Sequence, residues 1–127
     1  MSDSLRHISG VPVLVCEPDG PVLRGERDAL DLIGEAFGAG AEWVAVPASR
    51  FSEEFFRLRT RVAGEIIQKF VNYRLGLAVL GDVSRHTTAS PALRDFVYES
   101  NRGAQTWFVP DAESLANRLA GAGSAGG

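Results

Sequence analysis

Apolar positions along this chain follow two periods in turn. Short apolar runs such as "VPVLVC", "WVAVP", "LGLAVL" and "TWFV" read as strands, and "LGLAVL" is almost uninterrupted, as expected of a strand covered on both faces. Between them lie longer segments whose apolar residues recur every three or four positions, the pattern of one helix face. In "GERDALDLIGEAFGAG", Ala29, Leu30, Leu32, Ile33, Ala36 and Phe37 share such a face. Glu26, Asp28 and Asp31 lie near its favourable end, and Gly38 and Gly40 stop it. In "SPALRDFVYESNRG", Ser90 is placed to cap, Pro91 occupies the first helical position and Gly103 follows the last turn. "AESLANRLA" predicts a final amphipathic helix. Near the start, Glu17-Pro18-Asp19-Gly20 reads as the turn of a β-hairpin with strands at Val11–Cys16 and Pro21–Arg24.

The predicted order is β-β-α-β-α-β-α-β-α. It specifies an α/β fold with a single-layer mixed sheet of about five strands, parallel after the hairpin. One domain is expected over residues 1–120, followed by a flexible tail, "GAGSAGG", over 121–127.

The helix predicted after Ser52 is the unusual element. Phe55, Leu58, Val62, Ile66, Phe70 and Tyr73 form its apolar stripe, and Glu53 and Glu54 follow Ser52, the expected N-cap. Arg61, Glu65 and Lys69 are spaced for an ion-pair ladder. Two features do not fit an ordinary helix. Arg59 falls inside the apolar arc, where it must reach the rim, pair with an acid such as Glu99, or meet a ligand. A helix from Ser52 to Arg74 would also span about 33 Å, whereas strands of such sheets cover about 17–20 Å. The segment therefore overhangs the sheet, is covered by a partner, or breaks within "LRTRVAG", where Thr60 and Gly64 lower helix propensity.

Composition narrows the function classes. Net charge is −3 and pI about 5.3, which opposes non-specific nucleic-acid binding; Arg57, Arg59 and Arg61 are the one candidate basic strip. No apolar run is long enough to span a bilayer and "MSDSLRHISG" lacks a signal peptide's apolar core, so a cytoplasmic protein is expected. The single cysteine, Cys16, cannot form an internal disulfide and reads as a small buried hydrophobe. Twelve of the 13 basic residues are Arg, and Ala and Gly are abundant, which suggests a GC-rich bacterial genome.

No G-x-S-x-G, Walker loop, G-x-G-x-x-G or C-x-x-C is present. His7 and His86 lie in separate regions and do not assemble a metal site, so neither metal nor cofactor is expected. Asp82 and Ser84 sit at the end of a central strand, where ligands gather in open α/β sheets. Gly81-Asp82 as a plain turn is the structural alternative. Trp43 and Trp107 read as core or sheet-edge residues.

The segments "LRTRVAGEIIQKFVNYRLGLAVLGD" and "SPALRDFVYESNRG" resemble the bacterial family catalogued as domain of unknown function 4180. The resemblance covers about Glu17 to Leu119, and its motif matches at Arg59, Thr60, Ala63, Gly64, Glu65, Gln68, Lys69, Phe70, Asn72, Tyr73, Gly81, Asp82, Ser90, Leu93, Phe96, Glu99, Asn101, Arg102 and Gly103. Arg61 stands where the resemblance leads one to expect glycine. The family carries no established activity. The element order is also similar to the STAS domains, the anti-sigma-factor antagonist fold. That likeness implies a phosphorylatable serine at Ser52, with Ser49 as second choice. The Asp-Ser-Ser-Gly pattern of that motif is absent, and Glu53 and Glu54 would repel a phosphate.

Two functions follow as expectations. The first is a non-catalytic binding or regulatory module acting through protein contacts, with a protein partner or a second copy, and with neither nucleic acid nor membrane. The second is a small-molecule binder or unusual enzyme. Its polar pocket would draw on Arg59, Thr60, Glu65, Gln68, Asn72, Asp82, Ser84, Glu99, Asn101 and Arg102.

Overall fold

A computed structural model describes residues 3–126, with side chains to residue 121. Its centre is a five-stranded sheet in the order β1 (Ser4–Ile8), β2 (Val11–Val15), β3 (Trp43–Pro47), β4 (Gly76–Leu80) and β5 (Thr106–Val109). β1 is antiparallel to β2 and every later pair is parallel. The helices are α1 (Glu26–Ala39), α2 (Val62–Asn72), α3 (Ser84–Ala89), α4 (Pro91–Arg102) and α5 (Ala112–Gly126). The single-layer mixed α/β sheet expected from the pattern is thus present.

The hairpin is one strand earlier than predicted. Its turn is Ser9-Gly10, with φ of 53° and 82°. Positive φ at both central residues matches the right-handed twist of adjacent strands, which the two-residue hairpin requires. Glu17–Gly20 turns the chain toward α1 instead, and Pro21–Arg24 contributes only an isolated bridge from Leu23 to Phe51. β1 escaped notice because, as an edge strand, four of its five residues are exposed and carry no apolar alternation.

The sheet order equals the chain order, so crossovers of one hand put α1, α2 and α4 on the same face. There Ile33, Phe55, Ile66, Phe70 and Leu93 pack on Leu14, Val44, Leu77 and Val79. Opposite, α5 brings Leu115 and Leu119 onto Val13, Ala45, Ala78, Trp107 and Val109. Gly76 on β4 makes room there for Trp43, because a Cβ would lie 2.2 Å from the indole. The Trp43 and Trp107 rings then meet with centroids 4.3 Å apart. Trp107, on the edge strand β5, is buried and Trp43 is partly buried against the same cluster, within the expectation of core or sheet-edge positions. α5 runs to Gly126, across most of the segment expected as a flexible tail; Gly127 lies outside the described residues.

The helix predicted after Ser52 is broken. Two short 3-10 turns, Glu53–Phe56 and Leu58–Thr60, precede α2, and Arg61 joins them in the left-handed region at φ 68°. The Thr60 hydroxyl lies 2.6 Å from the Glu54 carbonyl and 2.7 Å from that of Arg57, and accepts the Val62 N–H. Its hydroxyl thus competes with the helix ladder where propensity is already low. The conformation at residue 61 is one that glycine adopts without strain. The ladder of Arg61, Glu65 and Lys69 does not form among the described residues, since Arg61 is no longer on the helix face.

Candidate functional site

Helix placement selects one edge of the sheet. The chain leaving β4 enters α3 and α4 on one face, and the chain leaving β5 enters α5 on the other. Two adjacent loops that diverge in this way open a crevice beyond the carboxyl ends of their strands. Here it has a volume of about 450 Å³ and is lined by Asp82, Ser84, Thr87, Tyr98, Asn101, Phe108 and Pro110 among others. Gly81, at φ 134°, turns the chain out of β4, and its α-carbon faces Ala48 closely enough that a Cβ would sit 3.3 Å from that methyl. Asp82 accepts the Ser84 N–H at 2.8 Å, and hydrogen bonds from Ser84 hold its carboxyl below the usual range. Asp82 and Ser84 therefore come together as expected, but as the turn that starts α3.

A larger groove of about 610 Å³ lies beside it, between the 3-10 turns and the α3–α4 junction. It is lined by the apolar Phe56, Leu58, Ala89 and Ala92 and by the basic Arg57, Arg59 and Arg85. Phe56 and His86 stack face to face at 4.0 Å. Partial burial lowers the His86 pKa, as does the neighbouring Arg85 charge, with Glu53 opposing. Arg85 pairs with Glu53 at 2.9 Å, and this bond holds the exposed Glu53 carboxyl below its ordinary value. The pair also bounds a third hollow, of about 340 Å³, lined by Ser49, Asp82 and His86.

The ten predicted site residues do not share one cavity. Asp82, Ser84 and Asn101 line the crevice, and Arg59 lies on the neighbouring groove. Thr60 fastens the bend. Glu65, Gln68 and Asn72 are on the solvent side of α2, where the Gln68 amide donates to Asn72 Oδ1 at 2.8 Å. Glu99 and Arg102 face one another on exposed α4 at 3.5 Å. The Arg59–Glu99 pair is therefore absent, and Arg59 is exposed because the break rotates it out of the apolar arc. Ser52 is buried at the N-cap position with its hydroxyl unpartnered among the described residues, whereas Ser49 is exposed.

Asn101 has a structural task that sequence reading did not foresee. β5 is an edge strand, so alternate peptide groups face away from the sheet. The Asn101 carboxamide accepts the Phe108 N–H at 2.7 Å and donates to the Phe108 carbonyl at 3.2 Å. It satisfies that peptide as a sixth strand would. Arg118 reaches from α5 to the Asn101 carbonyl at 2.6 Å while lying 4.3 Å over the Trp107 ring, and Trp107 Nε1 donates to the Gly103 carbonyl.

Sequence reasoning also missed Arg50, the one arginine buried among the described residues, at 4% exposure. Its Nε donates to the Pro21 carbonyl at 3.0 Å, and Nη1 donates to the Glu17 carbonyl at 3.1 Å and to Asp3 at 3.3 Å. Asp3 in turn accepts the Glu17 N–H. Gly20 leaves room for it: a Cβ there would lie 2.5 Å from the guanidinium carbon, so Arg50 would have to shift. The only signal in the sequence was a cation set between Pro47 and Phe51. Cys16 lies beside this cluster; burial, followed by the Asp3 charge, pushes its thiol pKa up, so it packs as a neutral hydrophobe.

No group of three or more His, Cys, Asp and Glu among the described residues is placed to hold a metal ion. No helix among them is long and apolar enough to cross a membrane. The chain belongs to the family described as a domain of unknown function (DUF4180), whose profile matches residues 8–119. Neither a curated protein nor a solved structure matches it.

Proposed function

We propose that this family member is a non-catalytic binding and regulatory module, acting through protein contacts along the carboxyl-end edge of β3, β4 and β5, in a bacterial cytoplasm. The observation that carries this reading is the state of the polar groups at that edge. Asp82, Thr60 and Asn101 are engaged in holding turns and strand together, while Arg57 and Arg59 stand on an open groove without an ion pair or side-chain hydrogen bond among the described residues. An open groove of this kind suits a macromolecular partner better than a drug-sized ligand, which needs most of its surface enclosed.

Self-association is a second reading. Leu30, Phe37 and Tyr73 are 40%, 52% and 46% exposed on α1 and the end of α2, with the Phe37 and Tyr73 rings in edge contact at 5.8 Å. Native mass spectrometry of the protein drawn gently from its own cells separates the readings. A stoichiometric complex with a different protein supports the module. A bare dimer dissolved by Phe37→Glu moves the interface to α1. A bound mass of small-molecule size overturns both.

A further inference from the structure

The groove at the 3-10 turns has a charge opposite to that of the chain as a whole. Net charge is −3, yet the groove is lined by three arginines against one carboxylate, Glu53. Glu53 is paired with Arg85 at 2.9 Å and feels Arg57 only through space, so among the described residues neither Arg57 nor Arg59 has an ion pair. Two details of the fold place them there. The left-handed residue at Arg61 ends the 3-10 turns, and the Thr60 hydroxyl bonds the Glu54 and Arg57 carbonyls, which fixes the backbone that presents both arginines. A non-glycine residue at φ 68° is unfavourable in itself. Beside the arginines the groove is lined by apolar groups: Leu58, Ala89 and Ala92, with Phe56 buried under its stacked His86.

We infer that this groove binds an acidic peptide segment of a partner protein, with an apolar side chain seated on Leu58 beside the His86 ring that covers Phe56 and with flanking carboxylates on Arg57 and Arg59. The inference rests on the protein-binding reading above and names the partner's chemistry. Arginine suits the task, since its planar fork meets a carboxylate with two parallel hydrogen bonds. An open trough admits a chain passing through it. A nucleic acid would need a longer basic track than three arginines next to Glu53 and Glu54 supply.

The test is selection of a random linear peptide display library on the full chain and on R57E/R59E. Both arginines are exposed, so the double variant keeps the fold, and a thermal melt verifies this. The wild type is expected to enrich peptides with two or more Asp or Glu around a Leu, Phe or Met. A fluorescein-labelled representative should bind R57E/R59E at least about tenfold more weakly, and should weaken as salt rises from about 0.05 to 0.5 M. Enriched peptides without acids, or acidic peptides that bind the double variant equally well, overturn the groove and leave the protein-binding module standing. Tighter binding of a labelled single-stranded oligonucleotide than of any peptide overturns it in favour of nucleic acid. No enriched peptide at all overturns both readings.

Discussion

Arg50 and Arg59 lie a short distance apart in one irregular segment and have opposite fates. Arg50 is buried, and its guanidinium holds the Asp3 carboxylate and the carbonyls of Glu17 and Pro21. Arg59 is exposed, with no ion pair among the described residues. A helical wheel assigns the buried position to Arg59, because a wheel presupposes an unbroken helix. The break at Arg61 reverses the assignment. Which arginine is structural depends on where the chain stops being periodic.

Truncating Arg50 is the strongest way to sharpen the contrast. Arg50→Ala leaves Asp3 buried without its cation and should cost about 3–5 kcal/mol, read as a lower urea midpoint. A cost below about 1 kcal/mol would mean that water reaches the pair. Next comes Asn101→Leu, which leaves the Phe108 N–H and carbonyl unsatisfied at an open strand edge. It should cost about 1–3 kcal/mol and introduce concentration-dependent association in light scattering. Arg61→Gly should act in the other direction, raising stability by about 0.5–1 kcal/mol, since it relieves a left-handed residue but frees the unfolded chain. If it destabilises instead, the Arg61 side chain has a contact that the fold does not reveal. Arg59→Ala should stay within about 0.5 kcal/mol of wild type.

The smallest effect concerns His86. Its pKa in the fold lies below the ordinary 6.5, so the unfolded chain takes up the proton first. Its contribution is complete above that value and declines as pH falls through the folded pKa. Urea midpoints measured across this range should therefore fall less steeply with acid in His86→Gln than in wild type. Identical slopes would remove His86 from the pH dependence.

Most of the sheet and its helices were legible because burial imposes periodicity. β3, β4 and β5 are continuous apolar runs between two covered faces, and α4 carries its cap and stop in Ser90, Pro91 and Gly103. β1 was not legible, since "SLRHI" has neither face buried enough to select its residues. Glu17–Gly20 then attracted the hairpin because its turn chemistry is stronger on paper than Ser9-Gly10. The site was less legible still. Asp82 was marked by its position at a strand end and Asn101 by its place in "ESNRG" at a helix end, but a side chain's hydrogen-bond partners across the sheet edge leave no periodic trace. Arg50 depends on Asp3, Glu17 and Gly20, all distant in the chain, so no local pattern announced it.

The tryptophan pair makes the molecule an uneven light source. Both of its indoles lie on the side covered by α5, in tilted contact across Gly76 with Arg118 above Trp107. Intrinsic fluorescence and any exciton couplet in circular dichroism therefore report the seating of α5 against β5. The arginine groove, on the far side of the sheet, stays dark to both. A ligand entering it will need a label of its own, while a change in tryptophan emission on binding would signal that the disturbance has crossed the sheet.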